Sequence, residues 1–339
     1  MNLSNLEEFL GKNNQPKFRL EQIKKAYFVD LVDSWEEIFT LPKDLRDKLS
    51  KEFPFSSVTL EKLQSTSPRL RGPGQTQKAL LKLNDGLKIE SVLMYYDGWL
   101  TVCLSTMVGC PLGCLFCATG RMGFKRNLTA EEMVDQIVFW NRLLKPRGKK
   151  VSHLVFMGMG EPFLNWESLW EAIEIIQDKD GINIGDRKIS ISTAGIIDKI
   201  NQFSQMNSQI NLAISLHSPF QEKREKLMPV AKENPLEELM AACLNYVKKT
   251  GRKLFFEYAL MDGWNDSDED ALALSKLMRK SYLFHLNLIH LNEVVGGLRP
   301  SLKEKEFTEI LNKEHVSYTI RKSFGTEIVA ACGQLAASG

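Results

Sequence analysis

No stretch of this sequence approaches the roughly 20 consecutive apolar residues that cross a bilayer, and its opening, MNLSNLEEFLGKNN, lacks the basic start and apolar core of a secretory signal. The first absence excludes a transmembrane helix. Together they make a cytoplasmic protein with no membrane partner the expectation. Neither sign of charge is in excess: the net charge is +2 over 339 residues. Composition alone therefore gives no case for nucleic-acid binding, which must rest on where the charges fall. Cysteine is scarce, six in all, and a reducing cytosol disfavours a disulfide scaffold. No second C-x2-C or H-x3-H pair is present, which argues against a completed zinc site. What remains is ordinary for a folded protein. With 43% hydrophobic and 25% charged residues, a sizeable core can be buried, and the length suits an α/β barrel of about 200–250 residues with a small appendage.

Residues 1–62 carry apolar positions at helical spacing: Leu3, Leu6, Phe9 and Leu10, then Ile23, Ala26 and Tyr27, then Trp35, Ile38 and Phe39. This reads as a small helical accessory domain. Its Lys17, Arg19, Lys24, Lys25, Lys43, Arg46, Lys48 and Lys51 offer a surface for phosphates. A solvated face balanced by Glu21, Glu36, Glu37 and Asp44 is the competing reading. Residues 63–95 follow as a linker and β-hairpin extension, with Pro68, Gly72, Pro73 and Gly74 marking the loop and Asp85-Gly86 the hairpin turn. From residue 96 to 339, short apolar runs (TVCLSTMVG, VSHLVFMGMG, KISIST, INLAISLHS, KLFFEYALM, HLNLIHLN) alternate with amphipathic stretches. About six βα units imply parallel strands, as a six-stranded barrel or a doubly wound sheet. Polar residues gather at the strand ends, at Gly160-Glu161, Ser192-Thr193, Ser215–His217, Glu257 and Asn292, and so many strands facing one centre favour the barrel.

Cys110, Cys114 and Cys117 form C-x3-C-x2-C in GCPLGCLFCATG, directly after a predicted strand. Three thiolates on one short loop can each hold one iron of a 4Fe-4S cube, a cluster usually held by four, which leaves one iron open to a substrate or cofactor. Gly109 and Gly113 permit the turns such a loop needs. A zinc site and a thioredoxin-like pair of Cys114 and Cys117 are the competing readings. Cys103 and Cys332 taken alone read as buried strand and core residues, Glu90 as a solvated strand-end carboxylate, and His217 as a satisfied core histidine.

The cysteine spacing resembles the signature of the radical S-adenosylmethionine superfamily. The segments TVCLSTMVGCPLGCLFCATGRMGFKRNLTAEEMVDQI, FMGMGEPFLN, ISISTAGI, AISLHSP, REKLMPV and AACGQL, in that order, resemble the RlmN/Cfr family of RNA adenine methyltransferases from about Gln75 to Ala336. The resemblance implies an α/β fold, a partial (βα)6 radical-SAM barrel with a small helical N-terminal domain. It implies one 4Fe-4S cluster on Cys110, Cys114 and Cys117, and two S-adenosylmethionine molecules per turnover. It implies cofactor contacts at Gly160, Glu161, Ser192, Ser215, Leu216, His217 and Asn292. Cys332 would receive a methyl group, a reaction suited to a thiolate; Gly333 would give it room; Cys103 would release product through a disulfide; and Glu90 would take the ring proton.

The substrate implied is an adenosine of 23S rRNA, and in some members also one of a tRNA anticodon loop, methylated at C2 through a protein–RNA adduct. An external one-electron donor of flavodoxin type and a monomeric enzyme complete the expectation. Within the family, EPFLN, IESV and FFEYALM favour the C2 group over the Cfr-type C8 enzymes. A glycyl-radical activase and a noncatalytic RNA-binding remnant are the more distant alternatives, neither of which needs Cys103 and Cys332. After Asn292 the chain reads EVVGGLRPS, whereas the family usually has a more proline-rich segment there.

Overall fold

The computed structural model describes residues 1, 3–67, 74–292, 297–321 and 323–337. Pro68, Gly72 and Pro73 of the expected linker loop, and residues 293–296 of the segment after Asn292, lie outside them. The chain begins with helices α1 (Leu3–Lys12), α2 (Phe18–Lys24) and α3 (Lys43–Glu52). Strands β1 (Val58–Ser65), β2 (Thr76–Leu83), β3 (Lys88–Tyr95), β4 (Leu100–Cys103) and β5 (Met107–Val108) follow. Then come α4 (Ala118–Arg121), β6 (Arg126–Asn127), α5 (Ala130–Leu144), β7 (His153–Phe156), α6 (Trp166–Gln177), β8 (Ile189–Thr193), α7 (Ile197–Phe203) and β9 (Asn211–Ser215). The remainder is α8 (Gln221–Leu227), α9 (Leu236–Thr250), β10 (Leu254–Leu260), α10 (Asp268–Met278), β11 (Phe284–His290), α11 (Glu304–Lys313) and β12 (Tyr318–Arg321).

Ten of the twelve described strands form one sheet in the order β1-β2-β3-β4-β7-β8-β9-β10-β11-β12, and β5 and β6 pair antiparallel as a separate ribbon. The first four strands of the sheet pair antiparallel, because hairpins as tight as Asp85-Gly86 can only reverse the chain. Within this sheet every pairing from β4 onward is parallel, since a helix separates each of these strands from the next. Six βα units are present, as the apolar runs imply. A seventh parallel strand, β12, closes the series and was not legible. It is four residues long and half-exposed along its length, so it lacks the continuous apolar run of the buried strands.

The helices pack on the outer face of the parallel strands, with Trp140, Phe156, Phe203, Phe256 and Phe307 deep in the main core. A smaller apolar cluster of Cys114, Ala194, Leu227, Met228 and Met261 underlies the cysteine loop. The N-terminal helices bury Leu6, Leu10, Leu45 and Leu49 at i, i+4 spacing. They are fastened to α5 by Asp135, a buried carboxylate that accepts from the Tyr27 hydroxyl (2.6 Å), the Ser57 N–H (2.7 Å) and the Met1 amine (2.9 Å). Of the basic residues there, Lys24 pairs with Asp178 at 2.7 Å and Lys25 with Asp30 at 2.7 Å. Strand β1 straddles the boundary expected between residues 62 and 63, so the sheet begins at Val58.

β1 and β12 are the two edges of the sheet. The segment after β12 runs back across the side left open between β12 and the antiparallel strands. Phe324 meets Tyr96 edge-on at 5.0 Å, and Lys78 of β2 donates to the Val329 carbonyl at 3.0 Å. Gly325, in the left-handed region (φ 76°), lies so close to β2 that a Cβ would come within 2.8 Å of Thr76.

Candidate active site

A cavity of about 230 Å³ opens at the C-terminal ends of the parallel strands, lined by residues of every parallel strand, of β3 and of the cysteine loop. The loop between β5 and α4 brings Cys110, Cys114 and Cys117 to one wall. Two left-handed glycines, Gly109 (φ 76°) and Gly113 (φ 62°), shape its turns, and the Leu115 N–H donates to the Leu227 carbonyl at 3.0 Å, tying it to α8. Burial pushes Cys110 up to about 12 and Cys114 well above its ordinary range. These thiols stay protonated at neutral pH until a metal displaces their protons.

In the same cavity, Gly160 (φ 103°) leaves no room for a side chain: a Cβ there would lie 2.6 Å from Met107, so only glycine fits. Glu161 is buried beside it and accepts from the Phe163 N–H (3.0 Å) and the Ala194 N–H (2.7 Å). Burial nevertheless raises its carboxyl to about 7, against those bonds and the Thr193 hydroxyl. His217 is buried and held neutral, its value lowered to about 3 by burial and by Arg224. Its Nδ1 accepts from the Ala259 N–H at 3.0 Å, which puts the proton of the neutral ring on Nε2. Ser192 and Ser215 face each other at 3.5 Å, and both line the cavity with His217 and Asn292.

The C-terminal segment delivers Cys332 to the same space. The Ala118 N–H donates to the Gly333 carbonyl (2.7 Å), the Thr119 hydroxyl to Leu335 (2.6 Å) and the Asn292 amide to the Cys332 carbonyl (3.1 Å). Gly333 (φ 83°) permits this approach, since a Cβ would sit 2.9 Å from the Phe116 carbonyl. Cys332 is open to the cavity yet ringed by protein; that enclosure raises its thiol while Arg321 pulls it down. Cys103, at the end of β4, lines the cavity too, and burial raises its thiol.

Two residues expected at the site point elsewhere. Leu216 is fully buried in the main core, and its backbone N–H donates to the Glu257 carbonyl at 3.0 Å. Glu90 is absent from the cavity lining: one oxygen pairs with Lys78 at 2.8 Å and the other accepts the Ala336 N–H at 2.8 Å. In this conformation it fastens the C-terminal segment. Sequence reasoning in turn missed Arg321, on the unforeseen strand β12, and left Glu257 as a strand-end polar residue. A carboxylate inside the apolar run LFFEYALM was the available signal for the second.

The donor set suits an iron-sulfur cluster. Three thiols from one loop line the cavity, and Gly160, Glu161 and the strand ends line it with them, where they could meet a ligand of an open iron. Among the described residues no three His, Cys, Asp or Glu side chains converge closely enough for a single metal ion; a cube takes one thiol on each of three irons and needs no such convergence. Among the described residues, too, no helix is long and apolar enough to cross a membrane.

Comparison with known proteins agrees with this geometry. Residues 104–274 match the radical SAM superfamily. The chain is 42% identical to the probable dual-specificity RNA methyltransferase RlmN of Chloroflexus aurantiacus, covering 99% of this chain and 91% of that protein. It is 43% identical to the ribosomal RNA large subunit methyltransferase N of Nitrosopumilus maritimus, covering 97% and 95%. The crystal structure of a radical SAM methyltransferase from Sphaerobacter thermophilus superposes with a TM-score of 0.94 at 41% identity, covering 100% of this chain and 98% of that one. From the cavity and these likenesses together, the chain belongs to the RlmN family of radical S-adenosylmethionine RNA methyltransferases.

Proposed function

We propose that this enzyme methylates C2 of an adenosine in 23S rRNA through a methylated Cys332 and a transient protein–RNA adduct. The observation that carries the reading is that Cys103, Cys110, Cys114, Cys117 and Cys332 line one cavity, while Cys243 is buried in α9. An activase has no use for the first and last of these five, and a remnant that only binds RNA has no use for the cavity.

C2 of adenine is an electron-poor ring carbon that does not attack a methylsulfonium, so polar methyl transfer fails and a carbon radical is needed. Bound on Cys110, Cys114 and Cys117, a 4Fe-4S cluster with S-adenosylmethionine supplies one-electron cleavage of the sulfonium and hence hydrogen abstraction. Glu161, Ser192, Ser215, His217 and Asn292, with the backbone opened by Gly160, hold the cofactor's polar groups; the His217 Nε2–H is a donor for this. Cys332 takes the methyl group as a thiolate, and its S-methyl carbon, stripped of one hydrogen, bonds to C2. A carboxylate takes the C2 proton; Glu90 can do so only after leaving Lys78, because a base must reach its proton. With that proton the adduct gives up its unpaired electron to the one-electron carrier; the Cys103 thiolate then attacks the Cys332 sulfur, the sulfur–methylene bond breaks, and the released carbon takes a proton to become the methyl group, leaving a Cys103–Cys332 disulfide.

Two S-adenosylmethionine molecules are consumed per methyl group, and a flavodoxin-like donor supplies the electron to a monomeric enzyme in the cytoplasm. The helical module of residues 1–62 gives the RNA a basic contact surface, the hairpin extension of residues 63–95 joins it to the catalytic domain of residues 96–339, and target adenosines exposed in loops suit a buried radical. Relatives named as dual-specificity RNA methyltransferases are the reason to assay a tRNA anticodon-loop adenosine beside the rRNA. The test is the modified-nucleoside profile of rRNA and tRNA from cells with and without the gene. Loss of 2-methyladenosine is expected; loss of 8-methyladenosine alone would assign the Cfr-type reaction instead.

A further inference from the structure

Glu257 stands inside β10, beside Ser215 of β9 and Asn287 of β11 in the register, and lines the cavity. It is 5% exposed. Its Oε1 is used twice, accepting from the Asn287 amide at 2.9 Å and from Arg321 at 3.2 Å. Among the described residues its Oε2 is buried with no hydrogen-bond partner, and so is the hydroxyl of Ser323, another cavity residue. A buried carboxylate oxygen without a donor is costly and rare, and marks a place where a ligand N–H completes the site.

Arg321 faces the same space from the end of β12. Its guanidinium has five N–H donors in a fixed plane, more than Glu257 and Tyr96, the partners it touches, take up. Arg321, Glu257 and Cys332 line the same cavity, where Arg321 lowers and Glu257 raises the Cys332 thiol. This polar corner offers a fixed acceptor next to a fixed donor. Adenine presents the complement beside C2: its exocyclic amino group donates, and the adjacent ring nitrogen N1 accepts. Guanine presents the reverse, an oxygen and an N1–H, which this corner repels. Cytosine matches the pattern but carries a carbonyl where adenine has its C2–H.

We propose that Glu257 and Arg321 are the specificity pair for the target base, Glu257 Oε2 accepting from the adenine amino group and Arg321 donating to N1. This rests on the reading of the previous subsection and names what selects the base within it. A donor on N1 also draws electron density from C2, the carbon at which the new bond forms.

The test uses the holoenzyme and two RNA fragments that differ only at the target, one with adenosine and one with purine ribonucleoside, which lacks the amino group. RNA affinity is read by fluorescence anisotropy and turnover by nucleoside mass spectrometry. The wild type is expected to lose about 10- to 100-fold in kcat/KM without the amino group, the worth of one hydrogen bond to a charged acceptor. Glu257→Ala is expected to lose a similar factor on adenosine and to treat the two RNAs alike, with Glu257→Gln, which keeps an acceptor, in between. Equal wild-type rates on both RNAs would overturn the proposal without any variant having to fold, as would a Glu257→Ala enzyme that still prefers adenosine by the full factor. S-adenosylmethionine carries the same adenine edge, so a fall in its equilibrium affinity as large as the fall in RNA methylation would assign the pair to the cofactor and overturn the proposal as well. Methylation of adenosine at C8, or none, would instead sink the earlier reading.

Discussion

Lys78 and Glu90 form an ion pair at 2.8 Å with side chains only 6% and 1% exposed. From it, two hydrogen bonds reach the C-terminal segment on either side of Cys332: the Lys78 ammonium to the Val329 carbonyl at 3.0 Å, and the Ala336 N–H to Glu90 at 2.8 Å. Lys78→Met removes the cation and strands a buried carboxylate, a loss of about 3–5 kcal/mol. Glu90→Leu strands the ammonium at a similar cost. The double variant leaves no unpaired charge, so its loss should fall short of the sum by more than about 1 kcal/mol. Urea unfolding measures these differences, and amide exchange across residues 325–336 reads the local effect. Exchange there should quicken in both single variants, and RNA methylation should fall while iron content holds. Single losses below about 1 kcal/mol, or strict additivity in the double variant, would refute the latch. Unchanged exchange in Lys78→Met would return Glu90 to a purely chemical role.

Burial raises Glu161 to about 7, above the ordinary carboxylate value. The unliganded protein therefore loses stability as pH climbs from the unfolded value through 7, by roughly 3 kcal/mol from this group. Glu161→Gln should flatten that slope in urea titrations, and an unchanged slope would contradict the assignment. Gly333→Ala forces a left-handed backbone on a residue whose Cβ would stand 2.9 Å from Phe116, a strain of about 1–3 kcal/mol; methylation should collapse with iron retained, and normal turnover would show that Cys332 needs no such approach. Cys103→Ala should accumulate a protein–RNA adduct visible on denaturing gels, and free product release would remove its resolving role.

What was legible in the sequence follows from how local each signal is. Cys110, Cys114 and Cys117 share one loop, so their spacing alone carries their chemistry, and the cavity brings them together. Gly160, Glu161, Ser192, Ser215, His217 and Asn292 lie at strand ends, where parallel βα folds gather their sites. Glu90 lies outside the cavity lining because β3 is buried along most of its length, leaving no alternation to tell inward from sideways, and Leu216 follows the last residue of β9, where no strand period sets the direction of its side chain. β12 escaped notice because half its surface meets solvent, and with it went Arg321. The pairing of Arg321 with Glu257 joins residues 64 apart in the chain, which no local pattern encodes.

The central claim is that the methyl group travels to RNA by way of Cys332. Anaerobic holoenzyme incubated with trideuteromethyl-labelled S-adenosylmethionine and no RNA should carry one labelled methyl on the peptide containing Cys332, and adding substrate RNA should move that carbon to adenine with part of its deuterium replaced by hydrogen. Label that reached adenine with all its deuterium, or without ever residing on Cys332, would contradict the account.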